Sequence, residues 1–234
     1  MMVDKAHLDM QADTEPLSRV DWVFTRLRRA IVDGELEPGA PLRHNELSQV
    51  FGVSLIPIRE AIRKLEMEKL VESAPNRGAW VAPITASEVH DVYSVRILLE
   101  TEALRRSMPV LTEADVTHMR EIYARMRALG RRDDERYPDL HRELHYTCYD
   151  KCDSPWLMHM IETLWSHTER HRHLAAKIVE FTTDFDSDLH GHIIDHIAAG
   201  DVEGAVKSLE RDLSRISDLV ASAYDRTESA PATG

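Results

Sequence analysis

The sequence predicts a mainly α fold in which a short β-hairpin separates three N-terminal helices from an all-α antiparallel helical bundle. Three observations predict this class. Apolar residues recur at helical spacing over most of the chain. Two short β-prone stretches, 70–74 and 79–82, flank the turn-forming residues 75–78. After Pro83 the β-prone pattern disappears.

The composition is that of a globular protein without a membrane segment. The 234 residues are enough for one or two domains, and 43% of them are apolar. No apolar run approaches the roughly 18 residues of a membrane helix, and the acidic N-terminus lacks the pattern of a secretory signal. We therefore expect a cytoplasmic protein without membrane contact, in which Cys148 and Cys152 are reduced thiols.

The net charge of −12 is unevenly distributed along the chain. Residues 18–82 have 10 basic and 9 acidic side chains, whereas residues 83–234 have 18 basic and 28 acidic ones. Such a split is typical of a nucleic-acid binder with a separate partner domain. The acidity of the whole chain therefore does not exclude DNA binding by its first part.

The N-terminal elements follow the order of a winged helix-turn-helix. A first helix ends at Gly34, a short second helix ends at Gly52, and Ser54 is the expected N-cap of a third. The hairpin comes next. This domain is expected over 18–83, after a disordered tail at 1–17.

The third helix is the candidate DNA-reading element, because the N-terminal residues of this helix meet base edges in such domains. Arg59 is able to pair with a guanine or a phosphate, Ser54 with a phosphate, and Arg77 at the hairpin turn with a minor groove. For each charged residue the alternative is a solvated surface side chain. The candidate DNA-binding residues are Arg43, Asn45, Ser54, Leu55, Ile56, Pro57, Arg59, Arg63, Arg77 and Gly78.

This region resembles the GntR family of bacterial transcription factors. The resemblance rests on the spacing of Pro38-Gly39, Leu47, Gly52-Val53-Ser54, Pro57-Ile58-Arg59-Glu60-Ala61, Leu65-Glu66 and Arg77-Gly78. It implies a homodimer that binds double-stranded operator DNA. Members commonly have Arg then Thr directly after the serine, and that Arg reads bases. This sequence has Leu55 and Ile56 instead, so apolar contact with thymine methyl groups is expected to replace a guanine contact.

The remainder, 84–226, is expected to be a helical bundle with short connections, followed by a disordered tail at 227–234. Capping patterns predict helices that start at Thr85 and Thr112. The other helices are expected over about 134–151, from the Asp153-Ser154-Pro155 break, from Asp186 or Ser187, and over about 201–224.

The bundle looks like the FCD-type ligand-binding domain of the FadR subfamily. The shared features are Arg96-x-x-Leu99-Glu100, a His in the third bundle helix before the break at 153–155, and Gly200-Asp201 after a His-bearing helix. The resemblance implies a divalent metal held by one Asp and three His. The matching positions are His141, His145, His190 and Asp212, with His141 where the family usually has Asp and Asp212 where it usually has His.

Helical periodicity puts these four side chains on the interior faces of their helices. Buried polar groups need partners, and one shared cation, Zn²⁺ or Ni²⁺, would satisfy all four. The alternative is a set of hydrogen-bonded core histidines. Two further histidines, His192 and His196, are expected to be solvated. The sequence leaves open the roles of His167, His171 and His173.

Arg96 and Glu100 are expected on one interior helical face, one turn apart. An interior arginine needs an anionic partner. Two interpretations follow: a structural ion pair with Glu100, or a clamp in which Arg96 holds a carboxylate effector that also touches the metal.

Together these patterns predict a repressor, not an enzyme, that is controlled by a small carboxylate metabolite. One alternative is a metal-sensing or architectural DNA binder without an organic ligand. Another is a metal-dependent hydrolase, since three His and one Asp are able to activate water. The hydrolase would lack an evident general base, and its DNA-binding head would have no explanation.

Overall fold

The computed structural model describes residues 18–129, 136–178 and 188–228. The predicted N-terminal tail at 1–17 lies outside the described residues. The chain divides into two compact units, the first of which ends at Ile84 and the second of which begins at Thr85. The predicted fold class, mainly α with a winged helix-turn-helix ahead of a helical bundle, is confirmed.

Between residues 18 and 84, the first unit consists of three helices and a small antiparallel sheet. Its elements are α1 Arg19–Val32, β1 Pro41–Leu42, α2 His44–Phe51, α3 Leu55–Met67, β2 Val71–Ala74 and β3 Gly78–Val81. The strand order is β1-β3-β2, and β2 and β3 form the predicted hairpin. The sequence does not predict β1, because a strand of two residues has no measurable alternation.

A tight turn joins α2 to α3. Gly52 ends α2 with a φ of +65°, in the left-handed region that glycine adopts without strain. Ser48 Oγ donates a hydrogen bond of 2.6 Å to the carbonyl oxygen of Val53 within this turn. Ser54 is the N-cap residue of α3, as predicted, but its side chain makes no capping hydrogen bond. The helix ends at Met67.

The apolar faces of the three helices pack together with one face of the sheet. Leu27, Leu47, Ile58 and Leu65 are fully buried in this core. Each large apolar side chain that folding removes from water stabilises the unit by about 1.5–3 kcal/mol. The core therefore holds α3 in position and leaves its opposite face exposed.

The hairpin turn exposes Arg77. Asn76 has a φ of +64° and Gly78 a φ of +78°, which are values that asparagine and glycine tolerate in turns. The backbone N–H of Arg77 donates to the carbonyl oxygen of Ala74 at 3.1 Å. This closes the turn and leaves the arginine side chain at its tip.

The second unit contains helices and no strand in the part of it that the structure describes. Its elements are α4 Ala86–Ser107, a short 3-10 helix Met108–Val110, α5 Glu113–Ala128, α6 Tyr137–Tyr149, α7 Pro155–Ile178, α8 Leu189–Ala198 and α9 Val202–Glu228. Helix α4 packs against α9 and α7, α8 against α9 and α5, and α5 against α6. None of the helices in the described ranges has both the length and the apolar character needed to cross a membrane.

One predicted helix start is confirmed, and two other helix ends differ from prediction. Thr112 and Asp115 form the capping box that the sequence predicts. Asp188, rather than Asp186 or Ser187, is the N-cap of α8 and accepts a hydrogen bond from the backbone of Gly191. Helix α9 continues to Glu228, past the predicted start of the C-terminal tail at 227, because the sequence from 205 to 230 has no glycine or proline to stop it.

Candidate DNA interface and candidate metal centre

The first turn of α3 exposes an apolar side chain beside a serine. Ser54 is exposed, Leu55 is half-buried, and Ile56 has 72% of its surface exposed. Pro57 is buried, which is inconsistent with its predicted contact with DNA. It faces the core, and its fixed φ suits the first turn of a helix.

Helix α3 and the hairpin line a groove with a volume of about 440 Å³. Among the predicted DNA-binding residues, Arg59, Arg63 and Gly78 line this groove. His44, which is not among the residues predicted from the sequence, lines it as well. The sequence has no signal for His44 other than a titratable side chain at the start of a helix, and that feature is common on protein surfaces. Arg43, Asn45 and Arg77 are exposed outside the groove lining.

The arginines of this surface differ in their ion pairs. Arg63 pairs with Glu60 at 3.0 Å, and Arg43 pairs with Glu46 at 2.9 Å, both on the exposed surface. Exposed pairs of this kind contribute about 0–1 kcal/mol, so a DNA phosphate is able to compete for either arginine. Arg59 makes no ion pair with any residue that the structure describes. Its charge is therefore available to a base or a phosphate.

Four buried side chains from three helices meet inside the second unit. His141 and His145 come from α6, His190 from α8 and Asp212 from α9. One possible ligand atom from each lies within 4.8 Å of the others. The structure thus brings together the four residues that the family resemblance selects.

The distances within this cluster fit a divalent cation. His145 Nε2 lies 3.4 Å from His190 Nε2 and 3.5 Å from Asp212 Oδ2, and His190 Nε2 lies 3.6 Å from the same oxygen. Zn–N bonds of about 2.0–2.1 Å place two ligand atoms of a tetrahedral ion about 3.4 Å apart. Three imidazoles and one carboxylate also form a donor set that Zn²⁺ and Ni²⁺ accept. The residues present therefore fit the ion that the sequence predicts.

The protonation of the cluster depends on burial. Burial, together with the neighbouring His145, holds the pKa of His141 well below its usual range. Burial alone would lower the pKa of His145 too, but hydrogen bonds and charge interactions with Asp212 and Glu100 raise it. Metal ligands must be deprotonated, so this environment keeps His141 in the form that binds a cation.

Glu100 connects the cluster to Arg96. Its Oε2 lies 3.6 Å from Nδ1 of His145, as is typical of a carboxylate that orients a ligating histidine. Its Oε1 accepts a hydrogen bond of 2.7 Å from Arg96 Nε. Burial would raise the pKa of Glu100, but Arg96 lowers it, so the pair is ionic. The structural ion pair that the sequence analysis considered is therefore present.

Arg96 has further contacts and one open donor. Its Nη1 donates to Thr168 Oγ1 at 3.0 Å, and its guanidinium lies 4.3 Å from the ring centre of Trp165. Trp165 in turn lies 5.4 Å from the ring of His145. Among the described residues, Nη2 of Arg96 is buried without a hydrogen-bond partner. The carboxylate clamp thus remains compatible with the geometry.

The other histidines lie outside the cluster. His192 is exposed, as predicted, while His196 is only half-exposed and its Nδ1 lies 2.8 Å from an oxygen of Asp201. His173 is exposed and His167 is buried. His171 is fully buried, and burial lowers its pKa to about 3. His167 and His171 lie one turn apart on the buried face of α7, and His173 lies on another face, so the three histidines do not converge on one site.

The winged helix-turn-helix and its exposed recognition helix define a DNA-binding transcription regulator. Residues 20–81 match the model of the bacterial regulatory proteins of the gntR family, and residues 91–215 match the FCD domain. The chain therefore belongs to the GntR family of regulators and has an FCD domain.

Known proteins of similar sequence are regulators of the same kind. The HTH-type transcriptional regulator BphR of Paraburkholderia xenovorans is 29% identical over 178 residues, which cover 70% of this chain and 73% of that protein. The gluconate operon transcriptional repressor of Bacillus licheniformis is 27% identical over 203 residues, or 85% and 83% of the two chains.

A solved structure is similar over nearly the whole chain. The crystal structure of a GntR family regulator from Pseudomonas syringae pv. tomato has a TM-score of 0.57 and 29% identity, and the match covers 96% of this chain and 95% of that one. Because the matched families and relatives are transcriptional regulators and not enzymes, the hydrolase alternative has no support.

Because the Arg96–Glu100 ion pair is buried, we expect replacement of Arg96 to destabilise the protein far more than replacement of an exposed arginine of the same helix. Arg96→Met leaves the charge of Glu100 buried without its guanidinium partner, so we expect a loss of about 3–5 kcal/mol in the free energy of unfolding. Arg106 makes the same 2.7 Å contact with Glu102 on the exposed side of the helix. Arg106→Met should cost about 0–1 kcal/mol.

Urea unfolding followed by circular dichroism measures both losses. The double variant Arg96→Met with Glu100→Gln should recover part of the stability, because it removes the unpaired charge. If Arg96→Met and Arg106→Met lowered the free energy of unfolding equally, the buried pair would contribute no more to stability than the exposed one.

Proposed function

We propose that this regulator is a homodimeric repressor whose affinity for operator DNA is controlled by a small carboxylate metabolite bound beside a divalent metal ion in the FCD domain. The observation that supports it most is the buried convergence of His141, His145, His190 and Asp212 within 4.8 Å. A regulator must be in the same compartment as the DNA that it binds, so the proposal includes a cytoplasmic location.

In this proposal, those four residues hold the metal, and Zn²⁺ or Ni²⁺ suits the donor set. A bound ion would supply a Lewis-acidic anchor for a carboxylate. Glu100 orients the ring of His145 from behind. The exchange of Asp and His relative to the usual family pattern keeps one carboxylate among the four ligands, so the charge that faces the ion is unchanged.

Arg96 supplies the second contact for the metabolite. Its buried Nη2 is oriented by the bonds that the other guanidinium nitrogens make to Glu100 and Thr168. A carboxylate oxygen at this atom would complete its hydrogen bonds, and an arginine fork suits a carboxylate. One relative is a repressor of a gluconate operon, and gluconate is a small carboxylate of the proposed class.

A metal-sensing regulator without an organic ligand is the second candidate, and the small size of the cavity beside two of the proposed ligands favours it. The cavity that touches His145 and His190 has a volume of about 10 Å³. This is scarcely enough for one water molecule. An organic acid would have to bind a more open conformation, which it would stabilise only by binding that conformation better. Thermal melting with Zn²⁺ alone, and then with added gluconate or citrate, distinguishes the two candidates.

DNA binding should depend on Arg59. We expect Arg59→Ala to weaken operator binding by about 1–3 kcal/mol if the guanidinium reads a base. Arg77→Ala should weaken binding to all sequences more evenly and reduce the slope of log affinity against log salt by about 1. Arg29→Ala, at an exposed arginine of α1, is the control. Gel-shift titration measures the affinities, and unchanged binding by Arg59→Ala would contradict its role.

The metal site predicts a stoichiometry and a set of sensitive residues. Protein purified without chelator should contain about one divalent ion per chain. His190→Ala should lower the metal content, because His190 lies inside the cluster, whereas His192→Ala should not, because His192 faces water. Asp212→His should also bind less metal than His141→Asp combined with Asp212→His, since only the double variant keeps one carboxylate among the four ligands.

Elemental analysis of these variants provides the measurement. Wild-type protein that contains no metal and gains no thermal stability from Zn²⁺ or Ni²⁺ would reduce the cluster to hydrogen-bonded core histidines.

The proposed dimer follows from the recognition of two half-sites by proteins with two-fold symmetry. A single winged unit of nearly neutral charge should bind DNA weakly. We therefore expect light scattering to give twice the mass of the 26.8 kDa chain at micromolar concentration. A monomer that still binds operator DNA tightly would contradict the proposal.

A further inference from the structure

The first turn of the recognition helix α3 presents DNA with an apolar side chain. Ile56 is 72% exposed, whereas Ile58 and Ile62, farther along the same helix, are buried. A large apolar side chain loses its unfavourable contact with water only when another apolar group covers it. Ile56 lies where recognition helices meet the edges of bases.

The neighbours of Ile56 restrict what it is able to read. Leu55 is half-buried and also apolar, so neither side chain offers a hydrogen bond to a base. In the major groove, the apolar feature of a base edge is the C5 methyl group of thymine. Uracil differs from thymine only in lacking this group, and cytosine also has a hydrogen at C5, next to an amino group on C4.

Arg59 limits which position on the DNA Ile56 is able to contact. It follows Ile56 by three residues, so the two side chains share one face of α3, and both are exposed. Arg59 also lines the groove between α3 and the hairpin. A base that touches Ile56 is therefore close to the base or phosphate that Arg59 touches.

We propose that Ile56 is a specificity-determining residue, which packs on the methyl group of a thymine in each operator half-site, next to the position that Arg59 contacts. The proposal goes beyond DNA binding as such, because it names the base and the chemical group that are read. It also gives a reason for an exposed isoleucine on a surface that must otherwise face water or phosphates.

The experiment removes single methyl groups from the DNA. Selection from random duplex DNA with the full-length protein first provides the preferred half-site. Each thymine is then replaced by deoxyuridine, and fluorescence anisotropy measures the affinity of the wild type and of Ile56→Ala. Burial of one methyl group contributes roughly a four-fold change in affinity. We expect one position per half-site at which the replacement weakens wild-type binding by about this factor and leaves Ile56→Ala unaffected.

Two controls make the result specific. Met67→Ala removes an apolar side chain that is 77% exposed at the other end of α3, and it should retain the full response to deoxyuridine. Ile56→Val keeps the branched side chain and should retain most of the response. Because Ile56 is exposed, both Ile56 variants should fold, which circular dichroism checks.

The proposal is overturned if no thymine methyl group affects wild-type binding, or if the same loss persists in Ile56→Ala. It is also overturned if Ile56→Ala binds the selected DNA like the wild type, since the exposed side chain would then serve a contact other than DNA.

Discussion

The burial of charge in the FCD domain is the constraint on which the rest of that domain depends. Arg96 and Glu100 are 2% and 0% exposed, and a buried ion without a partner costs several kcal/mol. Glu100 balances Arg96 and at the same time approaches His145, which lies beside Asp212. Charges from α4, α6 and α9 thus face one another, so a shift of any one of these helices would leave a charge without its partner.

The sequence predicted the cluster because its members repeat at helical spacing. His141 and His145 are one turn apart, and His190 and Asp212 stand in apolar stripes, so periodicity alone indicated interior side chains. Their convergence needed the family resemblance, because periodicity says nothing about which helices are neighbours. Other features left no such pattern. The side of α3 that faces the core decides the burial of Pro57, and the strand β1 is too short to alternate.

The two domains contain opposite departures from the usual distribution of residues. In the winged domain an isoleucine is exposed, and in the FCD domain histidines and charged side chains are buried. Both departures have a cost in the isolated chain, because exposed apolar surface and buried polar groups are each unfavourable without a partner. Such positions are informative about function, since a partner outside the chain removes the cost. The thymine methyl group would have this role for Ile56, and a cation bound by His190 and Asp212 would add to the contacts that these two side chains already make.

The tight packing around the cluster constrains how an effector could act. The cavity beside His145 and His190 has a volume of about 10 Å³, so an organic acid that touched these two side chains there would have to bind a conformation in which the helices that line this cavity are farther apart. Its apparent affinity is then lowered by the fraction of molecules in that conformation. A shared cation would hold α6, α8 and α9 together, because each of them bears a ligand. Helix α4 bears none of the four ligands, but its Glu100 approaches His145, so a movement of α4 that admitted an acid would disturb the contact that orients this ligand.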